Sequence, residues 1–210
     1  MTAGLTLALA LLVAAPAWAG APTDTLRTNV ERIFAVLDDA ALKGVAHTPA
    51  RQRAVRVLAE EALDFHESAR RALGTHWEAR TDAERTRFVR LFTDLIDQGY
   101  LSRLSHDGER LAFDTETITG SEAVVRARAL TKSGGATPVT FFMAQADDGR
   151  WRVYDVAFEG MSLVGNYRAQ FNKIIRAGSF TELVTRLEVK TRGDAQTNTT
   201  AKAPSKVGAP

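Results

Sequence analysis

With 210 residues, 45% hydrophobic and 25% charged, the chain has the composition of an ordinary globular protein, long enough to build one core without covalent staples. It contains no cysteine, which excludes disulfides, thiolate metal sites and a cysteine nucleophile. The net charge of +2 belongs to the tail: after Val189 four cations face only Asp194, so the part before it is near neutral and lacks the basic balance of a nucleic-acid binder.

Residues 5–15 form an uncharged apolar run, followed by Pro16 and the A-x-A cleavage pattern Ala17-Trp18-Ala19. No Lys or Arg precedes the run, but it is shorter than the roughly 20 residues of a spanning helix. The expectation is a signal peptide over 1–19, with Gly20 as the first mature residue. Leu26, Val30, Ile33, Phe34 and Leu37 then fall on one helical stripe within 24–42. Thr48-Pro49 restarts a helix, and Val55, Leu58, Ala62, Phe65 and Ala69 carry it to about Leu73. Thr81-x-x-Glu84 is a capping box that opens a third helix, expected to run past Gly99 to Leu104.

After Asp107-Gly108 the period changes from helical to two. Residues 111–118, 123–131, 138–145 and 150–158 read as four strands joined by short turns, an antiparallel meander. On the second, Arg126 and Arg128 point away from Val125, Ala127 and Ala129. Only Glu159-Gly160-Met161-Ser162 separates the fourth strand from a helix with Val164, Tyr167, Phe171 and Ile174 on one face. Ser179-x-x-Glu182 caps a last helix. From about Thr191 the chain is polar, and 191–210 is expected to be a disordered basic tail following a single domain over 20–190. The class is α+β, with helices on one side of a four-stranded antiparallel sheet.

The search for chemistry finds little. The histidines His47, His66, His76 and His106 have no helical metal spacing, since Arg70 stands where an HExxH pattern needs its second histidine. There is no nucleophile elbow, phosphate-binding loop or dinucleotide glycine pattern, and the neighbouring carboxylate pairs diverge on any regular element. No metal and no cofactor are expected. Glu159, between strand and helix, is placed to accept from amides at the helix start, a structural reading set against a catalytic one. Asp155, inside a strand, needs a partner if buried. The apolar inventory suits either a plain core or an apolar cavity.

One stretch carries more. VYDVAFEGMSLVGNYRAQF resembles the signature of the MlaC family, periplasmic phospholipid-binding proteins also called toluene-tolerance or auxiliary transport components. Trp151, Val153, Tyr154, Asp155 and Val156 match its first part, Glu159, Gly160, Ser162, Leu163 and Val164 its second, and Asn166, Tyr167, Arg168, Gln170 and Phe171 its third. Met161 replaces a branched aliphatic, and Gly165 replaces a polar residue, which is expected to loosen the helix start. The likeness extends over roughly residues 23–187.

The resemblance implies an NTF2-like or cystatin-like fold with an apolar lipid cavity between sheet and helices. It implies no catalysis and no cofactor beyond a phospholipid carried as cargo. The implied role is that of a periplasmic carrier with transient membrane contact. Its expected partners are an outer-membrane lipoprotein–porin complex and an inner-membrane ABC transporter complex, and its task is to maintain outer-membrane lipid asymmetry. Periodicity then nominates Leu95, Val125, Ala127, Phe141, Met143, Tyr154, Val156 and Tyr167 as cavity lining, and Asp155, Glu159, Gly160 and Asn166 as the structural corner. The alternatives are a periplasmic enzyme on an NTF2-like scaffold acting on apolar substrates, and a lipid-free protein adaptor.

Overall fold

The computed structural model describes residues 21–104 and 106–200, and among these described residues the chain forms six α-helices and five strands. The expected signal segment and residues 201–210 lie outside the described residues. Among the described residues no helix is long and apolar enough to cross a membrane.

Helix α1 spans Pro22–Asp38 with Pro at its first turn, where a missing N–H costs nothing. Helices α2 (Thr48–Ala62) and α3 (Phe65–Leu73) occupy the stretch in which the apolar period predicts one continuous helix. The break is at Leu63, whose extended backbone forms a parallel bridge with Val153, while Asp64 N–H donates to the Val153 carbonyl at 2.8 Å. Asp64 then caps α3, accepting from Glu67 N–H at 2.8 Å. Two residues therefore leave the helix to cover part of a sheet edge that would otherwise expose unpaired groups.

Helix α4 (Asp82–Gly99) opens on the expected capping box: Thr81 Oγ1 accepts from Glu84 N–H and Glu84 accepts from Thr81 N–H. It ends at Gly99 rather than Leu104, with Tyr100 out of helical geometry and a single 3₁₀ turn at Leu101–Arg103. A Cβ at Gly99 would meet nothing within 4 Å, so this glycine marks the end of a helix and not a close contact.

The strands are β1 (Arg110–Thr119), β2 (Glu122–Leu130), β3 (Ala136–Gln145), β4 (Trp151–Phe158) and β5 (Met161–Ser162), hydrogen-bonded in chain order. The sheet is an antiparallel meander of five strands, not four. The extra strand comes from the short link: Glu159 (φ 49°) and Gly160 (φ 82°) are both left-handed, the requirement of a tight two-residue hairpin turn. Met161 and Ser162 thus pair back on Phe158 and Ala157. Register sets Ala123, Val125 and Ala127 opposite Met143, Phe141 and Val139 on one face, while Arg126 and Arg128 are exposed on the other.

Helices α5 (Leu163–Ala177) and α6 (Phe180–Thr200) are the last elements of the described residues. Helix α6 carries on beyond residue 191, where order is expected to end; Thr191 is buried and its carbonyl accepts from Gln98 Nε2 of α4 at 3.0 Å.

The apolar interior divides in two. One cluster lies among α3 to α6, with Phe88, Phe92, Tyr167 and Phe171 in edge-on and stacked ring contacts at 5.5–6.1 Å. The other joins Leu26 of α1 to Ala123, Val125, Met143, Trp151 and Val153 of the sheet. A domain of this size usually forms one contiguous core.

Candidate functional site

Between the two clusters lies a cavity of about 50 Å³. The junction of α2 and α3 supplies Leu63, Phe65 and Ser68, helix α4 supplies Phe92 and Ile96, β4 supplies residues 153–156, and α5 supplies Leu163 and Val164. It is room for a few water molecules and far too little for a lipid. Larger depressions elsewhere are open surface grooves with charged rims, such as that between Asp64, Glu67, Asp147, Asp148 and Arg152.

The wall is apolar apart from two side chains already engaged. Ser68 donates its hydroxyl to the Asp64 and Tyr154 carbonyls, both at 2.7 Å. Asp155 accepts from Val164 N–H at 2.9 Å and from the Ser162 hydroxyl, while Ser162 Oγ accepts from Gly165 N–H at 2.7 Å. Asp155 and Ser162 together satisfy the first free amides of α5. The acceptor at this helix start is therefore Asp155, not Glu159, which is exposed in the β4–β5 turn and donates its N–H to the Pro138 carbonyl at 3.0 Å. Asn166 is also exposed and accepts from Gln170 one turn on. Gly165 does not loosen the helix start: a Cβ there would stand 2.8 Å from Ser162 Oγ, the capping atom.

Of the eight nominated lining residues, Tyr154 and Val156 border the cavity. Leu95 and Tyr167 are buried in the helical cluster, and burial, with the nearby Tyr100, raises the Tyr167 hydroxyl above its ordinary range. Val125 and Met143 are fully buried in the sheet cluster, Phe141 is half-buried against it, and Ala127 is buried between its register partners Phe113 and Val139. The other apolar lining residues, Leu63, Phe65, Phe92, Ile96, Val153, Leu163 and Val164, are not among those nominated. For Leu63 and Phe65 the sequence does carry a signal, since Asp64-x-x-Glu67 is a cap pattern inside the apolar run.

A charged network closes the neighbouring surface. The Arg71 guanidinium lies 3.7 Å over the Tyr154 ring and pairs with Glu67 and Glu122. Burial opposes ionisation of Glu67, but hydrogen bonds from Arg70 and Arg71 outweigh it and hold its carboxyl below the usual range. Burial likewise raises the Tyr154 hydroxyl. Arg168 of α5 donates to the Arg71 carbonyl at 2.7 Å, a cation at the C-terminal end of α3. Among the described residues no group of three or more His, Asp or Glu side chains is arranged to hold a metal.

Comparison with known proteins agrees with this arrangement. A phospholipid-binding protein from Ralstonia solanacearum, solved in complex with a phospholipid, superposes with a TM-score of 0.70 over 84% of this chain and 99% of its own. At 21% identity that likeness shows the fold. The intermembrane phospholipid transport system binding protein MlaC of Haemophilus influenzae is 20% identical over 123 residues, covering 56% of this chain. The match spans 58% of that relative's own length. The family model "MlaC protein" matches residues 27–189, well over half of the chain. With its signature at the β4–α5 corner and its meander-and-helix fold, the chain belongs to the MlaC family.

Proposed function

We propose that this protein carries glycerophospholipids through the periplasm, exchanging them with an outer-membrane lipoprotein–porin complex and an inner-membrane ABC transporter complex and so maintaining outer-membrane lipid asymmetry. The observation that carries the reading is the divided interior: two separately packed apolar clusters meeting across a small apolar-walled cavity. A seam between two self-sufficient clusters can part without dismantling either one. Acyl chains then replace the contacts the clusters lose.

The driving force is ordinary hydrophobic transfer. At about 0.8 kcal/mol per methylene, a chain of about fifteen methylenes stands to lose roughly 12 kcal/mol if exposed to water, so a shielded seam is what transit requires. The polar side chains bordering the cavity support carriage over catalysis. Asp155 and Ser68 are committed to the fold, and no histidine stands beside them in the cavity wall. The chain has no nucleotide-binding loop, so direction comes from the partner complexes.

The test is transfer. Donor vesicles containing fluorescent phospholipid, mixed with acceptor vesicles, should exchange label at a rate that rises in proportion to added protein. A rate that does not depend on protein would remove the carrier reading.

A further inference from the structure

We infer that α1 is a strap over the acyl-chain site, fastened at both ends and seated between them on an incompletely buried apolar stripe, so that its end fastenings help set how fast lipid enters and leaves. The inference rests on the carrier reading above. At the N-terminal end Thr23 donates to Glu116 Oε2 of the edge strand β1 through both its backbone N–H (2.7 Å) and its hydroxyl (2.6 Å). That carboxylate also faces the positive end of the helix. At the C-terminal end Asp38 Oδ2 lies 2.8 Å from His106 Nδ1, His106 Nε2 lies 2.8 Å from the Glu109 carbonyl, and the His106 ring stacks on Phe34 at 4.2 Å.

The middle is different: its polar contacts, the Arg32–Glu61 ion pair to α2 at 2.7 Å and Arg27 lying 4.6 Å over the Phe113 ring, are at the surface, and its apolar stripe is incompletely covered. Of the five apolar side chains on the α1 stripe, Leu26 and Leu37 are buried, whereas Val30, Ile33 and Phe34 remain half-buried. Phe113, Phe141 and Val156 of the sheet are half-buried as well, and together with Val30 they form the margin of the sheet cluster. Leu63 and Val156 belong both to that margin and to the cavity wall. A strip of incompletely covered apolar surface therefore runs from the cavity to the margin that α1 shares with the sheet. Acyl methylenes laid along it would complete the burial that the protein's own side chains leave unfinished.

The strap is built to lift. Each end contact has an exposed carboxylate, Glu116 or Asp38, whose pairing is weakened by water, and only two residues of its stripe are buried. Its link to α2 passes through Gly44 at φ 91°, with no atom within 4 Å of where a Cβ would stand. Releasing α1 disturbs none of the helical cluster.

The test compares the Glu116→Ala/Asp38→Ala double variant with Asp114→Ala, which breaks the Arg128 pair on the same strand without touching α1. Two readouts are taken: hydrogen exchange of α1 amides relative to α4, and uptake of fluorescent phosphatidylethanolamine from phosphatidylethanolamine–phosphatidylglycerol vesicles. The double variant should exchange its α1 amides faster and load lipid roughly five- to tenfold faster, as loss of hydrogen bonds to exposed charges allows. Asp114→Ala should change neither. Wild-type rates in the double variant, or loading no faster than in Asp114→Ala, overturn the strap. If α1 exchange rises but no protein loads lipid, wild type included, the carrier reading fails and the assignment with it. Should the double variant not fold, Glu116→Gln alone carries the same comparison.

Discussion

Replacing Val156 by Trp is expected to empty the protein of lipid while leaving it folded. Val156 stands where the cavity wall and the margin of the sheet cluster meet, and it is only half-buried, so there is unfilled space for an indole to occupy. A ring there enters the 50 Å³ cavity and bridges the seam proposed to part for acyl chains. Overpacking costs about 1–3 kcal/mol, and set against lipid binding the lower part of that range corresponds to roughly a tenfold loss of affinity. The measurement is phospholipid per mole of purified Val156→Trp protein against wild type, with thermal unfolding as the control. Equal lipid content in a folded variant would place the acyl chains elsewhere. Ala127→Trp, deeper on the same sheet face, should cost more stability, because Ala127 is already buried between Phe113 and Val139.

The second large effect is on stability. Asp155→Ala should lower the melting temperature by about 5–15 °C. The carboxylate accepts from the Val164 amide and the Ser162 hydroxyl, and a hydrogen bond to a charged group contributes about 1.5–3 kcal/mol. Removing both leaves the Val164 amide without its acceptor while Ser162 still caps Gly165, a loss of about 2–4 kcal/mol. For a chain of this length each kcal/mol shifts the midpoint by about 2–4 °C. Asp155→Asn retains one acceptor oxygen and should lose about half as much. Glu159→Ala is the contrast: its side chain is exposed, so the carboxylate contributes little, and only its left-handed backbone constrains replacement. A variant at Asp155 as stable as one at Glu159 would show that the corner is not held by this carboxylate.

Where local chemistry decides the structure, the sequence is legible. The alternation of Val125 and Ala127 with Arg126 and Arg128 fixes which face of β2 is buried, and Thr81-x-x-Glu84 marks the start of α4. Where distant segments decide it, periodicity misleads. The apolar period runs unbroken from Ala62 to Ala69, yet Leu63 leaves the helix because β4, far along the chain, offers an open edge. Strand β5 is two residues long and is defined only by its partner, too short for any pattern to show.

The site is harder still. Composition identifies Leu95, Met143 and Val156 alike as apolar; only packing separates the first two, each inside a cluster, from the third at the seam. The same holds for the carboxylates of the corner. Asp155 and Glu159 both stand near the start of α5, and the hairpin turn carries Glu159 outward while β4 aims Asp155 at the free amides.

The most direct measurement is the lipid content of the protein itself. Protein purified from its host without detergent, then examined by native mass spectrometry and by organic extraction, should show a bound-phospholipid mass that disappears on delipidation and returns after incubation with phospholipid vesicles. Protein that carries no phospholipid as purified, and takes none from vesicles, would contradict the account.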